Sequence, residues 1–176
     1  FVELPREWVR ARMGVTGLRT WCELQGIEGI TFEQMPPRKQ QITISRTFPK
    51  EIYTQEELDP IISEFASMCA EKLRGEGSVC CEVQSYLLTN RHREEQPQRY
   101  ETSLQLLPES TNSTLEIVRQ ARIALRQVFQ PGYGYKKAGV ILSQITPASA
   151  QQGSLFSPLD REKHTRLMDI LDSVNK

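Results

Sequence analysis

The sequence lacks long apolar runs and has few aromatic residues, cysteines or histidines, and each shortage excludes something. Nowhere do about 18 apolar residues follow one another, so no segment reads as a membrane-spanning helix. The opening FVELPREWVR has neither the apolar centre of a secretory signal nor an initiator methionine, and reads as the cut end of a longer chain. The four cysteines (Cys22, Cys69, Cys80, Cys81) show no C-x-x-C spacing, and two are adjacent. That suits neither a disulfide framework nor a zinc site and implies a reducing compartment, by default the cytosol. Of the two histidines, His92 falls in a polar loop and His164 on a polar helix face, without an acid or cysteine at ligand spacing. Glu94 and Glu95 stand beside Arg91 and Arg93, which reads as a salt-bridged loop and not as an acid/base pair. Gly132-Tyr133-Gly134 lacks the strand–turn–helix setting of a phosphate loop. No catalytic constellation and no metal site emerges.

What is present is a globular composition over 176 residues, 38% hydrophobic and 25% charged, enough for one domain and an appendage. The 22 basic and 22 acidic residues cancel, but they are unevenly placed. Residues 36–50 hold Arg38, Lys39, Arg46 and Lys50 with no acid, and 117–159 hold Arg119, Arg122, Arg126, Lys136 and Lys137 with no acid. A neutral chain arranged this way can present a positive face to a polyanion.

Apolar residues at helical spacing in 1–35 (Trp8, Val9, Met13, Leu18, Trp21, Leu24), broken at Gly14–Gly17 and stopped at Gly26, predict two short helices at the end of a neighbouring domain. Pro36 and Pro37, followed by a polar basic run, predict a linker over 36–40. Residues 41–146 then alternate between two periods. Strands are predicted over 41–48, 79–88, 99–107 and 136–145. Helices open at the capping boxes Thr54–Glu57 and Ser113–Glu116. This order predicts an α+β domain of the ferredoxin-like βαββαβ kind, a four-stranded antiparallel sheet with both helices on one face. The alternation puts Thr43, Ser45, Thr47, Gln84, Tyr86, Ser103 and Gln105 on the open face. Cys69 falls in the apolar phase of its helix and Cys81 in that of its strand. Residues 147–176 form a tail: small polar residues, an apolar pair, then a helix after Ser157-Pro158.

Within that tail, Gln152-Gly153-Ser154-Leu155-Phe156 resembles the peptide by which bacterial DNA polymerases hold the sliding clamp. Leu155 and Phe156 would fill an apolar pocket, with Gln152 and Ser154 at its rim. Further segments carry a resemblance in order along nearly the whole chain. These are Gln41–Phe48 with its Ser45-Arg46-Thr47-Phe48, Ala70–Glu76, Pro131–Val140 and Leu167–Asp172, preceded by Val15–Gly26. They are similar to the C-terminal part of Y-family translesion DNA polymerases of the UmuC type: the close of the thumb, the little finger and the C-terminal module.

The resemblance implies a DNA-binding and clamp-docking part of an error-prone polymerase acting in SOS repair and mutagenesis, in the cytoplasm with the nucleoid. Palm and fingers are absent, and with them the magnesium-binding carboxylates, so the fragment carries no cofactor of its own and no catalytic residue. The little finger holds primer–template DNA by its phosphate backbone, sequence-independently and salt-sensitively. By this resemblance Ser45, Arg46 and Thr47 contact the backbone, with Arg38 and Lys39 in the linker, Lys136 and Lys137 at the last strand, and Arg91 and Arg93 at the second hairpin. Arg46 falls in phase with Ile44 and must sit at a strand end or bulge to reach DNA. Tyr135, with Tyr133, either stacks on bases or packs the helix–strand corner. The family's further partners are a UmuD-type accessory subunit and the recombinase filament.

Two other classes compete. A stand-alone single-stranded nucleic-acid module of this fold would need two or three aromatics on the open sheet face, of which only Tyr86 is in phase. A small enzyme or ligand-binding regulator would need a concave polar site, and the sequence marks none.

Overall fold

The computed structural model describes residues 1–29, 39–93, 95–150, 166–168, 170, 172 and 173. The chain divides into two compact units, Phe1–Arg38 and Lys39–Lys176. In the first, α1 (Arg6–Leu24) is broken at a single residue, Gly14, whose φ of 65° and ψ of −161° leave the helical region. The Trp21 indole donates to the Leu4 carbonyl at 3.1 Å and the Gln25 amide to the Val2 carbonyl at 3.0 Å, tying the first residues to the end of α1. Gly26, at φ 77°, stops the helix as its position predicts.

The second unit runs β1 (Ile42–Ile52), α2 (Gln55–Gly75), β2 (Ser78–Thr89), β3 (Tyr100–Thr111), α3 (Thr114–Val128) and β4 (Tyr135–Ser143), then a short β5 (Thr146–Pro147). This is the expected alternation, and the α+β architecture with both helices on one side of the sheet is borne out. The strands lie in the order β1-β4-β2-β3, each neighbour antiparallel, with β5 pairing the start of β2. Strands joined through a helix therefore run parallel, with a strand from the other half between them. Beyond β4 the chain turns at Gln144 (φ 53°) and is stitched down, Ala148 N–H donating to Gly77 at 2.9 Å.

The core lies between the sheet and the helices. From α2 it takes Leu58, Ile62, Phe65, Cys69 and Leu73, from α3 Ile117, Ala121, Leu125 and Val128, and from the central strands Val83, Leu87, Val140 and Leu142. Each large side chain so buried contributes about 1.5–3 kcal/mol. The Ser85 hydroxyl, inside this layer, donates to the Ala121 carbonyl at 2.9 Å and ties α3 to the middle of the sheet. At the start of α2 the Thr54 hydroxyl donates to the Glu57 carboxylate at 3.0 Å and accepts from the Glu57 N–H at 3.4 Å, as the capping box predicts. At α3, Ser113 holds the N-cap position but makes no side-chain cap bond, and its buried Oγ has no partner among the described residues.

Two expectations about phase are corrected. A bulge between Cys80 and Glu82 shifts the register of β2 against β3, so Cys80 enters the core and Cys81 stays half-buried. Ser103 and Gln105 face the helices: the Ser103 hydroxyl and the Gln105 amide donate to Gln127 of α3 at 2.5 and 2.7 Å. β3 is the edge strand of the sheet, and Gln127 of α3 satisfies both polar side chains there. Its open-face positions are instead Tyr100, Thr102, Leu104 and Leu106, all exposed.

Candidate nucleic-acid interface

The open sheet face is read from the strand register. Ser45 of β1 lies beside Gly139 of β4, then Tyr86 of β2, then Thr102 of β3. The next row toward the end of β1 is Thr47, Lys137, Leu88 and Tyr100. Thr43, Ile141, Gln84 and Leu104 form the row on the other side. Gly139 makes the middle row possible. A Cβ there would fall 2.6 Å from the Tyr86 ring and 2.7 Å from the Ser45 Cβ, so only a glycine lets the ring lie across β4. The face that results is shallow and hydroxyl-rich, with Gln84 donating to Thr102 across the β2–β3 pair.

The topology collects cations at one end of this face. β1 ends where β4 begins and where the β2–β3 hairpin turns, so Lys50, Lys136, Lys137, Arg91 and Arg93 come from separate segments to the same rim. They are not equally available. Lys136 donates its ammonium to the Pro49 carbonyl at 2.9 Å. Arg93 lies 3.7 Å from Glu51, whose side chain is only 10% exposed and which also accepts from the Tyr53 hydroxyl at 2.9 Å. That bond to Glu51 raises the Tyr53 pKa above its ordinary value. Arg99 is spent on Glu101 at 3.5 Å and on the Tyr133 ring at 5.4 Å. Lys137 and Arg91 have no ion-pair partner among the described residues.

The residues expected at a DNA contact thus divide. Ser45, Thr47 and Lys137 share the open face. Arg46 does not join them. The β1–β4 register is regular through Arg46 and Thr47 and breaks only beyond, so Arg46 stays in phase with Ile44. On that side it sits over the Phe65 ring at 5.7 Å, 3.8 Å from Glu64. Lys39 is at the opposite end of the sheet, paired with Glu76. Arg38 lies outside the described residues, as do Gln152, Ser154, Leu155 and Phe156.

Tyr135 is a correction. Simple alternation aligns it with Lys137 on the open face, but a shift between the Lys137–Leu88 and Tyr135–Thr89 pairs turns the ring inward. It is fully buried, 5.8 Å from the Phe129 ring, its hydroxyl accepting from Gln130 N–H at 3.0 Å and donating to the Gln130 carbonyl at 3.2 Å. No face of this ring is open to a base. Conversely, the sequence reading missed Tyr100, 54% exposed and 6.2 Å from Tyr86. Its signal was the apolar alternation Tyr100, Leu104, Leu106, which read as inward.

Among the described residues no group of three or more His, Cys, Asp or Glu side chains is placed to hold a metal ion, and no helix is long and apolar enough to cross a membrane. Burial pushes the Cys69 and Cys80 thiols up to about 12, so both are protonated at neutral pH and unsuited to nucleophilic work.

A one-sided α+β sheet domain with one open face is compatible with the little-finger type of architecture. Residues 39–155 match the impB/mucB/samB family C-terminal domain, and the chain belongs to that family. It is 34% identical over 170 residues to the protein ImpB and 33% identical over 169 to the protein SamB, both of Salmonella typhimurium, each alignment covering 96% of this chain and 40% of the relative. With the protein UmuC of Salmonella typhimurium it shares 29% identity over 168 residues, 95% of this chain and 40% of that one. The resemblance to UmuC-type Y-family polymerases is borne out, and the chain spans 40% of the length of these relatives.

Proposed function

We propose that this chain is the DNA-holding and clamp-docking part of an error-prone translesion polymerase acting in SOS repair and mutagenesis. The observation that carries the reading is the row Thr47–Lys137, with Ser45 one row away, on an open face whose rim gathers cations from three segments. Hydroxyls and an uncommitted ammonium on a shallow surface suit a phosphate backbone, which gives affinity without reading sequence. A polymerase that must pass damaged bases needs that indifference.

Gln152–Phe156 supplies the second attachment, to a bacterial sliding clamp. A peptide of this size binds at about micromolar, roughly −8 kcal/mol. Joined on one chain, two weak contacts raise each other's effective concentration and keep the enzyme at the primer end. On this reading magnesium-dependent nucleotidyl transfer belongs to a palm that these residues do not include, and the UmuD-type subunit and recombinase filament are partners of the whole polymerase in the cytoplasm.

Two titrations test it. Fluorescence anisotropy with labelled primer–template DNA is expected to show steeply salt-dependent binding. Lys137→Ala should weaken it about three- to tenfold for every sequence alike and lower the salt slope by about one. Lys39→Ala should change little. Sequence-selective loss would point to base readout and sink the backbone reading. Calorimetric titration into a bacterial sliding clamp should show micromolar binding that Leu155→Ala/Phe156→Ala abolishes, and unaltered binding by that variant removes the docking role. The single-stranded module is less well supported: of the two tyrosines on the open face, Tyr86 is only 9% exposed and Tyr100 alone offers a ring.

A further inference from the structure

The duplex reading leaves unused the arginines of the long acid-free stretch. Arg119, Arg122 and Arg126 of α3 are exposed, and they line a shallow groove of about 690 Å³ between α2 and α3. Both helices lie on one side of the sheet, so this groove faces away from Ser45, Thr47 and Lys137. Its floor is apolar. Val118 and Ile123 are half-buried there, and Leu115 at one end is 58% exposed. Arg122 is held across the groove by Asp59 of α2, Nε to Oδ1 at 3.0 Å and Nη2 to Oδ2 at 2.5 Å. Arg119 and Arg126 make no hydrogen bond or ion pair among the described residues. Seven residues apart, they stand about 10.5 Å from one another along the helix.

From this arrangement we propose that the α2–α3 groove docks an acidic segment of a partner protein, its apolar side chains on Leu115, Val118 and Ile123 and its carboxylates on Arg119 and Arg126. The floor decides between polyanions. A nucleic acid could neutralise the arginines but has nothing to cover exposed Leu115 and half-buried Val118, and no aromatic side chain among the described residues lines the groove to stack a base. A peptide with carboxylates two helical turns apart and apolar residues both between them and on one side of them matches both features. Guanidiniums take carboxylates in paired, planar hydrogen bonds, which adds register to charge. The Arg122–Asp59 pair ties α3 to α2 and leaves Arg119 and Arg126 as the groove's uncommitted guanidiniums. The proposal does not depend on the duplex reading, because the two surfaces share no residue.

The test is selection from a display library of random 12-residue peptides on the intact chain, followed by anisotropy with the enriched peptides and with labelled dT20. Enriched peptides should carry excess Asp and Glu with spaced apolar residues. Arg119→Glu/Arg126→Glu should weaken them at least tenfold, and Leu115→Asn at least threefold. Circular dichroism melts should match those of the parent, since all three side chains are exposed. Affinity for dT20 should be unchanged by both variants. Enrichment of nothing, of peptides without acidic excess, or of peptides that bind the charge-reversed chain equally well overturns the proposal. So does a parallel loss of dT20 binding, which would make the groove a nucleic-acid surface.

Discussion

Arg74 at the end of α2 holds Asp172 in the C-terminal segment through a two-pronged ion pair, Nε to Oδ2 at 2.7 Å and Nη2 to Oδ1 at 2.5 Å, across 98 residues of sequence. Its remaining Nη1 donates to the Asn112 carbonyl at 2.9 Å and to the Thr114 hydroxyl at 2.8 Å. One guanidinium thus joins the end of one helix, the start of the next and the tail. Nearby in sequence, Met168 is buried. The described part of the C-terminal segment therefore packs on its own unit.

Asp172→Ala takes the carboxylate from an Arg74 side chain that is only 11% exposed. The expected cost is about 1–3 kcal/mol, a fall in melting midpoint of about 3–8 °C. Trypsin cleavage after Arg166 should accelerate severalfold, while Asp172→Asn, which keeps one acceptor, should fall between. Limited proteolysis and a thermal melt read both effects, and an unchanged cleavage rate would refute the clasp.

Tyr135→Phe separates packing from DNA contact. Losing the hydroxyl leaves the Gln130 N–H and carbonyl without their partner, an expected loss of about 1–2 kcal/mol in urea unfolding. Affinity for primer–template DNA should stay the same in the folded variant. A tenfold loss of affinity at constant stability would restore the stacking role.

Gly139→Ala should destabilise the sheet by about 1–3 kcal/mol, because its methyl meets the Tyr86 ring and the Ser45 Cβ at once. The double change with Tyr86→Ala relieves the clash, so the two substitutions should be less than additive in the melting midpoint. Strict additivity would mean that the ring moves aside freely.

The buried thiols give the fold a falling stability in alkali. Cys69 and Cys80 titrate at about 12 when folded against 9.0 when free. Below pH 9 both states keep the proton and the contribution is complete. Between 9 and 12 the unfolded chain ionises first, so stability drops by up to about 1.4 kcal/mol per pH unit for each thiol. Urea unfolding at pH 8 and pH 10.5 should show a smaller drop in Cys69→Ala/Cys80→Ala than in the parent, and an equal drop would assign the effect to other groups.

Much of this was legible in the sequence where one local rule operates alone. The Thr54 box, the apolar face of α2 and the alternation of β1 and β2 set element order, and with it the fold class. Legibility failed where a neighbouring strand decides. Ser103 and Gln105 look like surface residues, yet pairing with β2 turns them inward, to a glutamine that no local pattern connects with them. The bulges that bring in Cys80 and Tyr135 leave no mark in composition. Arg46 is the reverse case: its phase with Ile44 was readable, and the ladder kept it. The split of cations into committed and free ones was unreadable, since Lys136 and Arg93 are occupied by Pro49 and Glu51 from another segment.

The strand order also has a bearing on synthesis. Because β4 lies between β1 and β2, Ile42 cannot meet its partner Leu142 until nearly the whole unit has left the ribosome. At roughly 5–20 residues per second that interval is on the order of ten seconds. For its duration Ile42, Ile44 and Phe48 have no sheet to enter, and α2 has only half a floor. Neither β1-α2-β2 nor β3-α3-β4 closes by itself. β1 can therefore enter the sheet only once β4 has been synthesised, and its pairing is among the last contacts the unit makes.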